Sequence, residues 1–203
     1  MKTKCICLLL LSLTMCCEVY SQWRLGGKVG GNWSTVNFEG SENPSLIFGG
    51  NIGIVARYQL NRRMSLQCNL LYSTRGYNAK ESIYIHQNSK LKDLKVVFQY
   101  FDIPLLFKYS LFESLYLHIG PQLGFQLDRM PYYDNEKQSS AKLGEKQRID
   151  SGIIVGSGYS FKNGVFVEGE YLIGLRGCYK NVVGFRNRSL QISIGYIGNL
   201  VTK

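Results

Sequence analysis

Ten ionisable side chains sit at alternating positions within apolar segments: Lys28, Arg57, Asp102, Lys108, His118, Asp128, Asp150, Glu168, Glu170 and Arg188. Both signs are present, so the set can neutralise itself. Two chemistries suit such a set. It could line a solute path and select by charge, or it could form a network of ion pairs that fills a narrow lumen. If the segments are strands that close around such a set, eight of them leave a lumen only wide enough for side chains, which favours filling over conduction; a small gated channel is the alternative.

Catalysis has thinner support. The two histidines are His86 and His118. A lipid-trimming enzyme needs a serine beside a histidine that an acid orients. Ser82 and Ser89 lie near His86 in sequence, but serines are common in loops. No catalytic residue is assigned, the chain is expected not to be an enzyme, and a lipid-modifying enzyme is the weaker alternative. Gly156-Ser157-Gly158 has no following helix N-terminus to hold a phosphate. Glycine in a curved strand is the simpler account. Four-ligand metal spacing is absent, so no metal and no cofactor are expected.

The cysteines depend on how the chain begins. Lys2 and Lys4 precede the apolar run Ile6 to Met15, and Val19-Tyr20-Ser21 follows it. That is the layout of a secretory signal peptide, too short to span a bilayer. Residues 1–21 are expected to be the signal, cleaved between Ser21 and Gln22, and residues 22–203 the mature domain. A lipoprotein would need a small residue where Met15 precedes Cys16. Cys5, Cys7, Cys16 and Cys17 then leave with the signal, and Cys68 and Cys178 remain. Cys68 is expected to face lipid and Cys178 to lie near the last long connection, so the two are not expected to pair.

Composition says what must position these groups. The chain has 203 residues, 45% hydrophobic, with a net charge of +10 and a mean hydropathy of −0.10. These values exclude a disordered tail and a polytopic helical membrane protein. The 14 Tyr and 22 Gly against 4 Pro suit twisted β-structure. Period-2 alternation recurs eight times, with no sustained helical period. It predicts strands over Arg24–Val36, Phe48–Leu60, Met64–Thr74, Val97–Tyr109, Leu115–Asp128, Ile149–Phe161, Val165–Leu175 and Arg188–Ile197. Connections alternate between short (Asn61 to Arg63, Ser110 to Glu113, Lys162 to Gly164) and long (Asn37 to Ile47, Arg75 to Val96, Arg129 to Arg148, Arg176 to Asn187).

Short turns at one end and long loops at the other are the pattern of a transmembrane barrel. A secreted lipocalin-like barrel is the rival, and it would place apolar residues inside. Here the second face of each strand carries charges of both signs, which could not face lipid. The expected fold is therefore all-β: an eight-stranded antiparallel transmembrane β-barrel with periplasmic termini, short periplasmic turns and long extracellular loops. Aromatics on the apolar face support it. Trp33, Phe48, Tyr72, Phe101, Phe125 and Tyr171 fall toward the loop side, and Tyr58, Tyr109, Tyr159, Phe161 and Tyr196 toward the turn side. Two such rings form an interfacial girdle.

The long connections carry more Lys and Arg than Asp and Glu, as at Lys80, Lys90, Lys92, Arg129 and Lys142. Outer-membrane lipids with anionic headgroups are the expected partners, each basic residue contributing roughly 1 kcal/mol near such a surface. A nucleic-acid partner is not expected for an exported chain with membrane-facing aromatics. A protein partner in the envelope or in secretion stays open.

With the strands placed, the chain resembles the PorT-like outer-membrane β-barrel family common in Bacteroidetes. The resemblance rests on Gly26-Gly27-Lys28-Val29-Gly30-Gly31-Asn32-Trp33-Ser34, Leu66 to Gly76, Gly120-Pro121 and Gly156-Ser157-Gly158-Tyr159. Its most specific piece is Tyr100-Phe101-Asp102-Ile103-Pro104-Leu105-Leu106-Phe107-Lys108-Tyr109. Members often carry Glu where this chain has Asn69, and many end on an aromatic residue, for which Tyr196 would stand in. The resemblance implies a porin-family barrel in the cell envelope of a Gram-negative bacterium, with a structural, interaction or assembly role, and no single activity.

Overall fold

Strict alternation gives every segment one side that needs lipid or a core and one that needs polar partners. Pairing the segments edge to edge also satisfies all their backbone groups. The computed structural model describes residues 22–37, 45–85, 88–133, 136–137, 148–177 and 186–199. The strands are β1 (Trp23–Asn37), β2 (Ile47–Gln59), β3 (Met64–Ile85), β4 (Asn88–Ser110), β5 (Leu115–Tyr133), β6 (Glu136–Lys137), β7 (Ile149–Ser160), β8 (Val165–Gly177) and β9 (Arg186–Asn199). Pairing runs β4-β3-β2-β1-β9-β8-β7-β5, and β4 also pairs with β5, which closes the ring. Among the described residues, only β6 lies outside the ring, paired with Tyr132 and Tyr133 of β5. The protein is a closed eight-stranded antiparallel barrel. Residues 1–21, His86 and Cys178 lie outside the described residues.

The register fixes the barrel's dimensions. Starting at Tyr58 and stepping to each paired neighbour gives Leu66, Phe107, Ile119, Val155, Tyr171, Leu190, Trp33 and finally Phe48. One circuit therefore returns to β2 ten residues from where it began. With a rise of about 3.3 Å per residue and a strand spacing of about 4.8 Å, that stagger tilts the strands by about 40°. Each residue then advances about 2.5 Å along the barrel axis, and each strand step about 3 Å.

These steps place the outward aromatics. Tyr58, Tyr109, Tyr159, Phe161 and Tyr196 fall within about 7 Å of one level, together with Trp23, which sequence reasoning did not include. Trp23 and Tyr58 have ring centroids 5.1 Å apart. Trp33, Phe48, Tyr72, Phe101 and Phe125 form a second ring about 20 Å higher, close to the height of a lipid-facing apolar band. Tyr171 faces outward but sits about 6 Å below Trp33, inside the band rather than at its edge. Between the rings, Ile52, Ile54, Leu105, Ile119, Leu123 and Ile194 are exposed.

The tight turns are at the lower end. In the β2–β3 turn, Asn61 Oδ1 accepts hydrogen bonds from the backbone N–H groups of Arg63 and Met64, at 2.9 and 2.8 Å. In the β7–β8 turn, Gly164 has φ 87°, a conformation that disfavours a side chain.

One long connection is not a loop. The segment Arg75 to Val96 reads in the sequence as a long connection between strands, but β3 and β4 run on through it as a paired hairpin from Arg75↔Phe98 to Ile85↔Asn88. Sequence alternation fades there because neither lipid nor a core imposes it beyond the upper ring. The backbone ladder continues without it. β5 likewise runs on to Tyr133, past the expected end at Asp128.

Candidate functional site

The inward positions of all eight barrel strands converge on a narrow lumen, and it is filled. Lys28, Arg57, Asp102, Lys108, His118, Asp150, Glu168 and Glu170 are each at most 7% exposed. They form two clusters at different depths.

The lower cluster is built around Glu168. Its carboxylate accepts hydrogen bonds from Lys28 Nζ at 3.2 Å, from Tyr116 at 3.0 Å, and from Lys108. Lys28 Nζ also donates to Glu170 at 2.8 Å, and His118 Nε2 lies 3.4 Å from the other oxygen of Glu170. The pairing register explains the convergence. Glu168 and Glu170 are adjacent inward positions of β8, and Lys28, Lys108 and His118 project from β1, β4 and β5. Lys108 Nζ lies 4.1 Å from the Tyr116 ring centre. Arg57 stacks over Tyr116 and Phe166 at 5.7 and 5.5 Å and donates twice to Gln67 Oε1.

The upper cluster is built around Asp102. Arg75 Nη2 donates to its two oxygens at 2.5 and 2.6 Å, and Ser73 donates to it as well. Arg75 also lies 4.3 Å over the Tyr100 ring. Asn187 Nδ2 donates to Asp150 at 2.6 Å and to Tyr100 at 3.1 Å. Between the clusters is an uncharged layer in which Ser193 donates to Asn51 at 3.3 Å. Above the upper cluster, Val36, Ile47, Tyr77, Val96 and Phe98 point inward and are buried, forming an apolar cap at the loop-side mouth.

Two expected lumenal residues face outward. Asp128 is exposed because β5 carries a bulge: Gln99 pairs with Asp128, but the next residue, Tyr100, pairs with Gln126. The extra residue, Leu127, flips the alternation, so Asp128 turns out and Arg129 turns in. Arg188 is exposed because it shares parity with the outward Leu190, Ile192, Ile194 and Tyr196. It sits near the level of the upper aromatic ring, where a long cation can reach headgroups.

Sequence reasoning missed Arg75, which it placed in a loop, and Arg129. Arg75 continues the inward series Gln67, Asn69, Leu71 and Ser73, so its parity was a usable signal. The apolar cap had no signal, because inward positions were read as polar. Cys68 is a free thiol on outward parity. Among the described residues, no three of His, Cys, Asp and Glu converge to hold a metal.

The sequence model of the family described as "Outer membrane protein beta-barrel domain" matches residues 15–179. No curated protein matches the chain. Among solved structures, Ail of Yersinia pestis, in complex with the heparin analogue sucrose octasulfate, is 16% identical, covers 87% of this chain and 99% of its own, and has a TM-score of 0.49. Neisserial surface protein A is 14% identical, covering 88% and 97%, with a TM-score of 0.49. OprG from Pseudomonas aeruginosa is 12% identical, covering 87% and 95%, with a TM-score of 0.46.

Proposed function

Because the chain belongs to the outer membrane protein beta-barrel domain family, we propose that it works as a closed barrel, a structural or interaction protein of the outer membrane that is neither a pore nor an enzyme. The observation that carries this reading is the shared carboxylate of Glu168, held by Lys28 and Lys108 from two different walls of the lumen. A solute would have to break both contacts and then pass the Arg75–Asp102 pair and the apolar cap. Separating buried ion pairs costs about 3–5 kcal/mol each when one partner is left uncompensated.

If the lumen does not conduct, the working surface is outside. The β3–β4 hairpin is the longest paired segment and extends past the upper aromatic ring on the extracellular side. It is the element we assign to binding a protein of the envelope or secretion machinery, with the basic loops held against anionic headgroups. Within the family, the Tyr100 to Tyr109 block supports a PorT-like member, and Lys2 to Ser21 supports export with cleavage before Gln22.

A photocrosslinker at Lys92, in intact cells, tests this reading. A defined protein adduct is expected, and adducts to lipid alone would count against it.

A further inference from the structure

The turn-side end of the lumen holds more positive charge than its carboxylates neutralise. Among the described residues, Lys28, Lys108 and Arg57 are buried there with Glu168 and Glu170 as the only buried carboxylates. Lys28 and Lys108 use those two carboxylates. Arg57 reaches neither. Its Nε and Nη2 donate to Gln67, and Nη1 donates to no described residue.

A cavity of about 420 Å³ opens beside Arg57 toward the periplasmic turns. Arg57, Lys108 and Tyr116 are its buried floor, Arg24 and Arg62 its exposed wall, and Glu113 its only lining carboxylate. A second hollow, of about 850 Å³, shares Arg62, Ser110 and Glu113 with the first. Its wall is formed by Leu111, Phe112, Leu115 and Tyr159, with Arg63 alongside. Phe112 is 72% exposed, in the turn just beyond the lower aromatic ring. One hollow is therefore cationic and opens on the lumen, and the other is apolar and opens at the membrane edge.

We propose that the cationic hollow is a site for a phosphate-bearing ligand at the periplasmic face, with the adjoining apolar hollow open to any acyl chains that the ligand carries. The guanidinium groups of Arg57, Arg24 and Arg62 suit a phosphate, because each presents several donors in a fixed plane. The Nη1 of Arg57, at the floor, has no acceptor among the described residues and supplies a further donor. If the phosphate belongs to an anionic phospholipid of the inner leaflet, its acyl chains lie along Leu111, Phe112 and Leu115. If it belongs to a soluble phosphate, only the cationic hollow is used.

The test uses the folded barrel in maltoside micelles with two probes. Phosphatidylglycerol is offered in competition with phosphatidylcholine and retention is read by native mass spectrometry; inorganic phosphate is titrated by calorimetry. A lipid source gives at least tenfold preferential retention of phosphatidylglycerol. A soluble source gives phosphate binding that phosphatidylglycerol does not displace. In both cases Arg57→Gln combined with Arg62→Gln lowers binding at least tenfold, and Arg186→Gln at the opposite mouth leaves it unchanged. Should the buried Arg57 variant fail to fold, Arg24→Gln with Arg62→Gln, both exposed, must weaken binding in the same direction. Absence of binding by both probes, or binding that survives these substitutions, overturns the proposal.

Discussion

Lys108 and Glu168 lie sixty residues apart in sequence and form a buried ion pair across the lumen, between β4 and β8. Glu168 is at the same time the partner of Lys28 from β1. A single carboxylate thus ties three walls of the barrel together, and it does so where all three side chains are buried and charge is costly to leave alone.

Replacing Glu168 by Gln should lower stability by about 3–5 kcal/mol, because two ammonium groups are left with only Glu170 nearby. The double variant Lys108→Met/Glu168→Gln should cost less than the sum of its single changes, since it removes the stranded charge together with its partner. Urea unfolding in lipid bilayers measures this cycle. Additive costs would show that the pair is not coupled.

The outer face should respond to charge according to depth. Ile54 lies midway between the aromatic rings and is 57% exposed to lipid. Ile54→Arg should cost about 2–4 kcal/mol, the scale for a cation at the bilayer midplane. Arg188→Leu, near the upper ring, should change stability by less than about 1 kcal/mol. Equal effects at the two positions would mean that the assigned membrane level is wrong.

Glycines separate space from strain. A Cβ on Gly53 would meet the backbone oxygen of Leu70 at 2.0 Å, whereas one on Gly169 meets nothing within 4 Å. Gly53→Ala should therefore cost about 1–3 kcal/mol through overpacking. Gly169→Ala, on the lipid face, should be neutral or stabilising by a few tenths of a kcal/mol, because alanine restricts the unfolded chain. Refolding yields and unfolding midpoints of the two variants check the order.

Much of this fold was legible in the alternation of the chain. Leu115 to Phe125 gave the phase of β5 residue by residue and put His118 inside, as the alternation from Phe101 to Tyr109 in β4 did for Lys108. What failed did so for physical reasons. The bulge at Leu127 is a local change of register, and a period-2 pattern gives no warning of it, so Asp128 was assigned to the wrong face. Arg188 was assigned by its charge although its parity with Leu190 and Ile192 pointed outward. Beyond the membrane the pattern loses its cause. The β3–β4 hairpin continues as a backbone ladder past the membrane, and the inward Tyr77, Val96 and Phe98 of the cap break the rule that lumenal positions are polar.

The claim that the lumen is closed is tested most directly by single-molecule conductance of the folded wild-type barrel in planar lipid bilayers. With Glu168 holding Lys28 and Lys108, Arg75 holding Asp102, and the apolar cap above them, insertion should produce no steady unit conductance. Openings of uniform amplitude from the wild-type protein would contradict the account and favour a gated channel.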